Sequence, residues 1–161
     1  MNTDTVLKYG HQTVVQTLER VPKEAWNTPG VCGFWSVKEI IAHLASFEQL
    51  LVDVLNSLLS NGPTPTLDKF RQDSAQFNDT EVQARANKTV DEVWSEYETT
   101  HAQTLALLTQ IPVELHRQNG ILPWYGPEYD LEDFIAYTYY GHKREHSAQI
   151  AVFQDHLNKS K

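Results

Sequence analysis

The sequence predicts an all-α chain folded as a four-helix bundle. Apolar residues recur at steps of three and four almost throughout, and no segment alternates apolar with polar residues as a strand would. Four of these amphipathic stretches are long, and stretches containing Pro, Gly and Asn separate them.

The first helix is expected from about Asp4 to Arg20. Val6, Leu7, Val14, Leu18 and Val21 fall at helical spacing, and Pro22 stops it because a proline interrupts the hydrogen-bond ladder. A Pro- and Gly-dense loop, NTPGVCGF, follows. The second helix opens on Ser36 and Glu39, an S-x-x-E capping box in which each side chain satisfies a backbone N–H of the first turn. Its stripe of Ile40, Leu44, Phe47, Leu51, Val54, Leu55 and Leu58 runs until NGPTP breaks it. Residues 61–89 are far longer than a tight antiparallel turn needs, so this connection can return along the bundle and leave the helices it joins parallel. Asp68 to Asn78 can form a short helix within it.

The third helix is expected over Val90 to Gln110, with Val93, Tyr97, Leu105, Leu108 and Ile111 in step and Pro112 after them. The fourth starts at the N-cap Asp130 and carries Leu131, Phe134, Ile135, Tyr139, Ile150, Phe153 and Leu157. Uninterrupted, it would be about 40 Å long at about 1.5 Å per residue.

The 161 residues suit one domain, here 1–161, large enough to bury a core without disulfides. Lys+Arg 13 against Asp+Glu 21 leaves a net charge of −8, which argues against an electrostatic grip on nucleic acid or an anionic membrane. The single cysteine, Cys32, fits a reducing compartment. MNTDTVLKYG lacks the apolar core of a signal peptide, and no apolar run reaches the roughly 20 residues that span a bilayer. The expectation is a cytoplasmic protein.

Position matters more than number among the seven histidines. His142 and His146 are four apart on the fourth helix, in line with Ile135, Tyr139, Ile150 and Phe153, so both imidazoles share its apolar face. His43 lies beside Ile40, Leu44 and Phe47 on the second helix. Two such histidines plus a third from another helix make a facial set of three nitrogens, with coordination positions left open for water or substrate. The same residues also read as hydrogen-bonded core histidines, and spacing leaves both readings open. His142 to His146 is literally H-x-x-E-H, an inverted zinc-peptidase motif. Asp155 is the sole carboxylate side chain after His146, and Glu145 points about 100° from either histidine, so a peptidase is rejected.

The pattern resembles the DinB-like (DinB/YfiT) family of metal-dependent hydrolases. The likeness rests on VPKEAW after the first helix, FWSVKEIIAHLASFE opening the second, FNDTEVQARANKTVDEVWSEYETTHAQTLALLTQIP around the third and YTYYGHKREHSAQI in the fourth. It spans nearly the whole chain. The resemblance implies a bundle in up-down-down-up order, with a divalent metal, commonly nickel or zinc, on three histidines that match His43, His142 and His146. It also implies a homodimer acting on a small molecule, either by hydrolysis or with a low-molecular-weight thiol as cosubstrate. The alternative from a different class is a non-catalytic binding or sequestering protein, its metal structural or absent.

Glu48, four residues after Leu44, reads as a carboxylate behind the ligands, a general base or an ordinary helix-edge acid. His101, four after Tyr97, reads as a fourth ligand or a hydrogen-bonded core histidine, and His11 beside Leu7 and Val14 is a weaker candidate. Cys32 reads as a soft ligand, a reactive thiol or simply a small loop residue. Trp124, Tyr125 and Tyr129 either rim a pocket or lid the end of the core. Lys38, Lys143 and Arg144 are the cations that folding could gather for an anionic cosubstrate.

Overall fold

The computed structural model describes residues 2–161. Among them there is no β-strand, only an isolated bridge between Cys32 and Trp35. The helices are α1 (Thr3–Leu18), α2 (Val37–Leu59), α3 (Pro65–Gln72), α4 (Ser74–Ala84), α5 (Val90–Leu108), α6 (Leu131–Ile135) and α7 (His142–Lys159). No helix of the described residues is long and apolar enough to cross a membrane.

Local chemistry sets the helix starts. The Asn2 side chain accepts from the N–H groups of Asp4 and Thr5, and Ser36 with Glu39 makes the expected capping box. Thr89 with Glu92 opens α5 in the same way, as do Asp130 and Asp133 for α6. One cap crosses between helices. Asp53 of α2 accepts from Thr66 N at 2.6 Å and Leu67 N at 3.0 Å, which fastens the first turn of α3 onto α2. The long connection thus holds two short helices rather than one. Arg85, at the end of α4, donates to Glu96 of α5 at 2.7 and 3.1 Å and to Glu81 at 2.8 Å.

The fourth predicted helix is not a continuous α-helix. Ala136–Gly141 form a π-helical turn between α6 and α7. The extra residue changes which positions face inward: Ile135, Tyr139, Lys143 and Ser147 are buried, and His142 is only half-buried. A strict 3.6-residue reading had put His142 in line with Tyr139. The Tyr139 hydroxyl donates to the carbonyl of Phe47 at 2.8 Å, pinning the turn to α2. Gly141 meets no neighbouring segment, contrary to the usual reason for a mid-helix glycine; a Cβ there would stand 3.7 Å from Ala136 O in its own helix. The close approach is at Gly10, where a Cβ would meet Lys143 Cδ at 3.4 Å and Tyr140 at 3.6 Å.

Two apolar layers fill the interior. One contains Val6, Leu7, Leu51, Leu55, Leu108 and Phe134, and the other Val14, Leu18, Ile40, Leu44, Tyr97 and Ile150. Between them, in sequence on α2, α5 and α7, come Glu48, His101, Thr104 and Lys143, all buried. A polar stratum therefore divides the hydrophobic core.

Candidate metal centre

His43 comes from the first half of α2, and His142 and His146 from the first two turns of α7. His43 Nε2 lies 2.8 Å from His142 Nε2, which lies 3.0 Å from His146 Nε2. These side chains form a group whose ligand atoms all lie within 4.8 Å of one another and could hold a metal ion. His43 and His146 are 2% and 6% exposed, so the group opens to solvent mainly at His142. Trp35 packs on the His43 ring at 5.0 Å, and Phe47 touches His43 at 4.9 Å and His142 at 4.8 Å.

The protons cannot be arranged to satisfy this cluster by itself. The Gln149 amide oxygen stands 2.8 Å from His146 Nδ1, so Nδ1 carries the proton and His146 Nε2 presents a lone pair. If His142 Nε2 accepts from His43, it opposes that lone pair at 3.0 Å. If it donates instead, His43 must carry its proton on Nδ1, which is buried without a hydrogen-bond partner. A cation facing three lone pairs removes the opposition between His142 and His146, with His43 carrying its proton on Nδ1. Nitrogens about 2.1 Å from one metal stand roughly 3.0–3.4 Å apart, close to the spacings here.

Burial, reinforced by the neighbouring histidines, lowers the His43 imidazole far below its usual range, and His142 to about 4. Burial also lowers His146, against the opposing pull of its Gln149 bond. All three are neutral near pH 7, the form that coordinates.

Glu48 is not a helix-edge acid. It is fully buried, paired with Lys143 and accepts from the Thr104 hydroxyl at 3.2 Å. Burial alone would raise its carboxyl, but Lys143 and then His101 hold it well below the usual range. His101 lies outside the three-histidine group; it is buried, 3.8 Å from Glu48 and stacked on His11 at 4.0 Å. His11 also meets the Tyr97 hydroxyl at 3.3 Å. The three cations that folding could have gathered do not converge: Lys143 is committed to Glu48, Lys38 donates to Ala86 O, and Arg144 lies over Tyr140. Sequence reasoning gave no role to Gln149, although a glutamine three residues after a ligand histidine was the available signal.

The sequence profile of the DinB superfamily matches residues 7–150. The chain belongs to the DinB superfamily. This is a metal-binding superfamily, and the chain presents a three-histidine group able to hold an ion. No curated protein and no solved structure matches this DinB-superfamily chain.

Proposed function

We propose that the chain is a metal-dependent enzyme in which His43, His142 and His146 hold a divalent cation, nickel or zinc, and turn it on a small molecule. The observation that carries this reading is the meeting of three neutral, largely buried imidazoles, with His142 Nε2 at 2.8 Å from His43 Nε2 and 3.0 Å from His146 Nε2, in a group that could hold a metal ion. Such a cation, with coordination positions open, lowers the pKa of bound water or thiol and so supplies a nucleophile near neutral pH. Metal-assisted hydrolysis and transfer from a low-molecular-weight thiol both use that chemistry.

The remaining residues orient and shield. Gln149 fixes the His146 tautomer, Trp35 and Phe47 wall the cluster with apolar rings, and the Glu48–Lys143 pair lies in the polar stratum beside it. Glu48 already has partners on both oxygens, so its role is to hold α7 in register rather than to abstract a proton. The helices α1, α2, α5 and α6–α7 are read as an up-down-down-up bundle. This is supported by α2 and α5 sharing layers in the same order, Leu44 with Tyr97 and Leu55 with Leu108. The reading also takes 1–161 as one domain, cytoplasmic and homodimeric. A mass near 18.4 kDa by light scattering at high concentration would remove the dimer.

The decisive experiment is metal analysis of gently purified protein, followed by nickel and zinc titration with the His43→Ala variant as control. Stoichiometric metal that the variant loses supports the enzyme. No metal on purification and none bound on addition would overturn it in favour of a non-catalytic binding protein.

A further inference from the structure

A cavity of about 490 Å³ lies where the connection between α2 and α5 meets the loop before α6. Phe70, Arg71, Ser74, Trp124 and Tyr125 line it, and its volume suits a small molecule. The aromatic walls are anchored. Trp124 packs edge-on against Phe70 at 6.3 Å and Phe134 at 5.6 Å, and Tyr125 against Phe134 at 4.9 Å. Trp124 and Tyr125 therefore both rest on a buried core residue.

Arg71 supplies the one charge among the lining residues and, like Arg20, is neutralised by no neighbour among the described residues. Lys69 lies 3.5 Å from Glu81, Arg85 binds Glu81 and Glu96, and Arg117 binds Asp130 and Glu132. Arg71 has no ion-pair or hydrogen-bond partner among the described residues, in a chain where acids outnumber bases 21 to 13. Its sequence neighbour Asp73 is not in the wall and spends its carboxylate on Gln76 N at 3.3 Å. A guanidinium matches a carboxylate with two parallel hydrogen bonds, and aromatic rings accept a planar ligand edge-on or stacked.

The cavity also lies close to the histidines. Phe47 packs against Phe70 at 6.3 Å on one side and against His43 and His142 on the other. A ligand packed on Phe70 is separated from the cluster by two rings, Phe70 itself and Phe47 behind it.

We propose that this cavity binds the aromatic carboxylate end of a small-molecule substrate, Arg71 taking the carboxylate and Trp124, Tyr125 and Phe70 the ring. As a substrate subsite it rests on the metal-dependent reading above; as a binding site it stands apart from it. The test titrates indole-3-carboxylate into chelator-treated protein, with indole-3-carboxamide as the neutral twin, followed by calorimetry. Saturable binding of the acid is expected, with the amide weaker by roughly tenfold or more, since a charge-assisted hydrogen bond is lost. Arg71 is exposed, so Arg71→Met should keep its melting temperature while lowering acid affinity to the amide's level. No saturable binding by the wild type, or acid binding unchanged in Arg71→Met, overturns the proposal. Repeating the titration on His43→Ala separates it from the metal reading. Acid binding retained there supports the cavity whatever becomes of the metal, whereas its loss would place the ligand at the histidines and overturn the assignment.

Discussion

Lys143 and Glu48 form an ion pair sealed inside the helices, one residue along from His142. With 2% and 0% exposure, neither charge has water to fall back on. Removing one partner strands the other, so Glu48→Gln should destabilise the fold by about 3–5 kcal/mol. The double variant Glu48→Leu/Lys143→Met should recover most of that loss. Urea denaturation of metal-free protein checks both; a Glu48→Gln change below about 1 kcal/mol would mean that Lys143 escapes to solvent.

His142→Ala or His146→Ala removes one of three proposed ligands and should lower nickel or zinc affinity by orders of magnitude. His156→Ala lies on the exposed end of α7 and should leave it unchanged. Competition titration measures all three, and equal losses would contradict the ligand assignment.

Gln149→Leu keeps the bulk of the side chain but removes the acceptor that fixes the proton on His146 Nδ1. Metal affinity should drop about 10- to 100-fold with little change in melting temperature of the metal-free protein. Gln149→Glu, which retains an acceptor oxygen, should restore it. An unaltered affinity in Gln149→Leu would show that the tautomer is set elsewhere.

His11 titrates at about 4 in the folded chain because of burial first, then His101 and Lys143, with Glu48 opposing. The Tyr97 hydroxyl and Glu98 complete its surroundings. The unfolded imidazole takes its proton near pH 6.5, so below that the unfolded state binds more protons. This contribution is fully present above pH 6.5 and is lost as pH falls toward 4, by about 1–3 kcal/mol for a partly exposed ring. His11→Phe keeps a stacking ring without the titration. Its unfolding free energy should therefore decline less between pH 7 and 4.5 than that of the wild type in chelator; parallel curves would refute the assignment.

Much of this was readable along the chain because its causes are local. Ser36 and Glu39 announce α2, Asp130 announces α6, and a four-residue step is enough to put His142 beside His146. Thr89 and Glu92 carried the same capping signal, and the reading that began the helix at Val90 did not use it. What escaped depends on partners distant in sequence. The choice among the three readings of Glu48 stayed open because its counter-ion, Lys143, lies 95 positions away. Phe70 and Phe77 sit on short helices with little periodicity to read, yet they pack against Phe47. The π-helical turn was hidden for another reason: hydrophobic spacing assumes a constant number of residues per turn.

That turn works as a phase adjuster. Each residue of an α-helix advances the side-chain direction by about 100°. A π-turn closes on the fifth residue rather than the fourth, so each of its residues advances less, by roughly 80–90°. Ala136–Gly141 therefore turn about as far as a stretch of α-helix one residue shorter. Deleting one residue there would let the segment close as ordinary α-helix and still leave His142 and His146 facing His43. Deleting a second would find no slack left to absorb it and would swing the pair away while sparing the helix and both histidines. When homologous chains are compared, a one-residue difference in the spacing from Asp130 to His142 is thus compatible with an intact centre, whereas a two-residue difference is not.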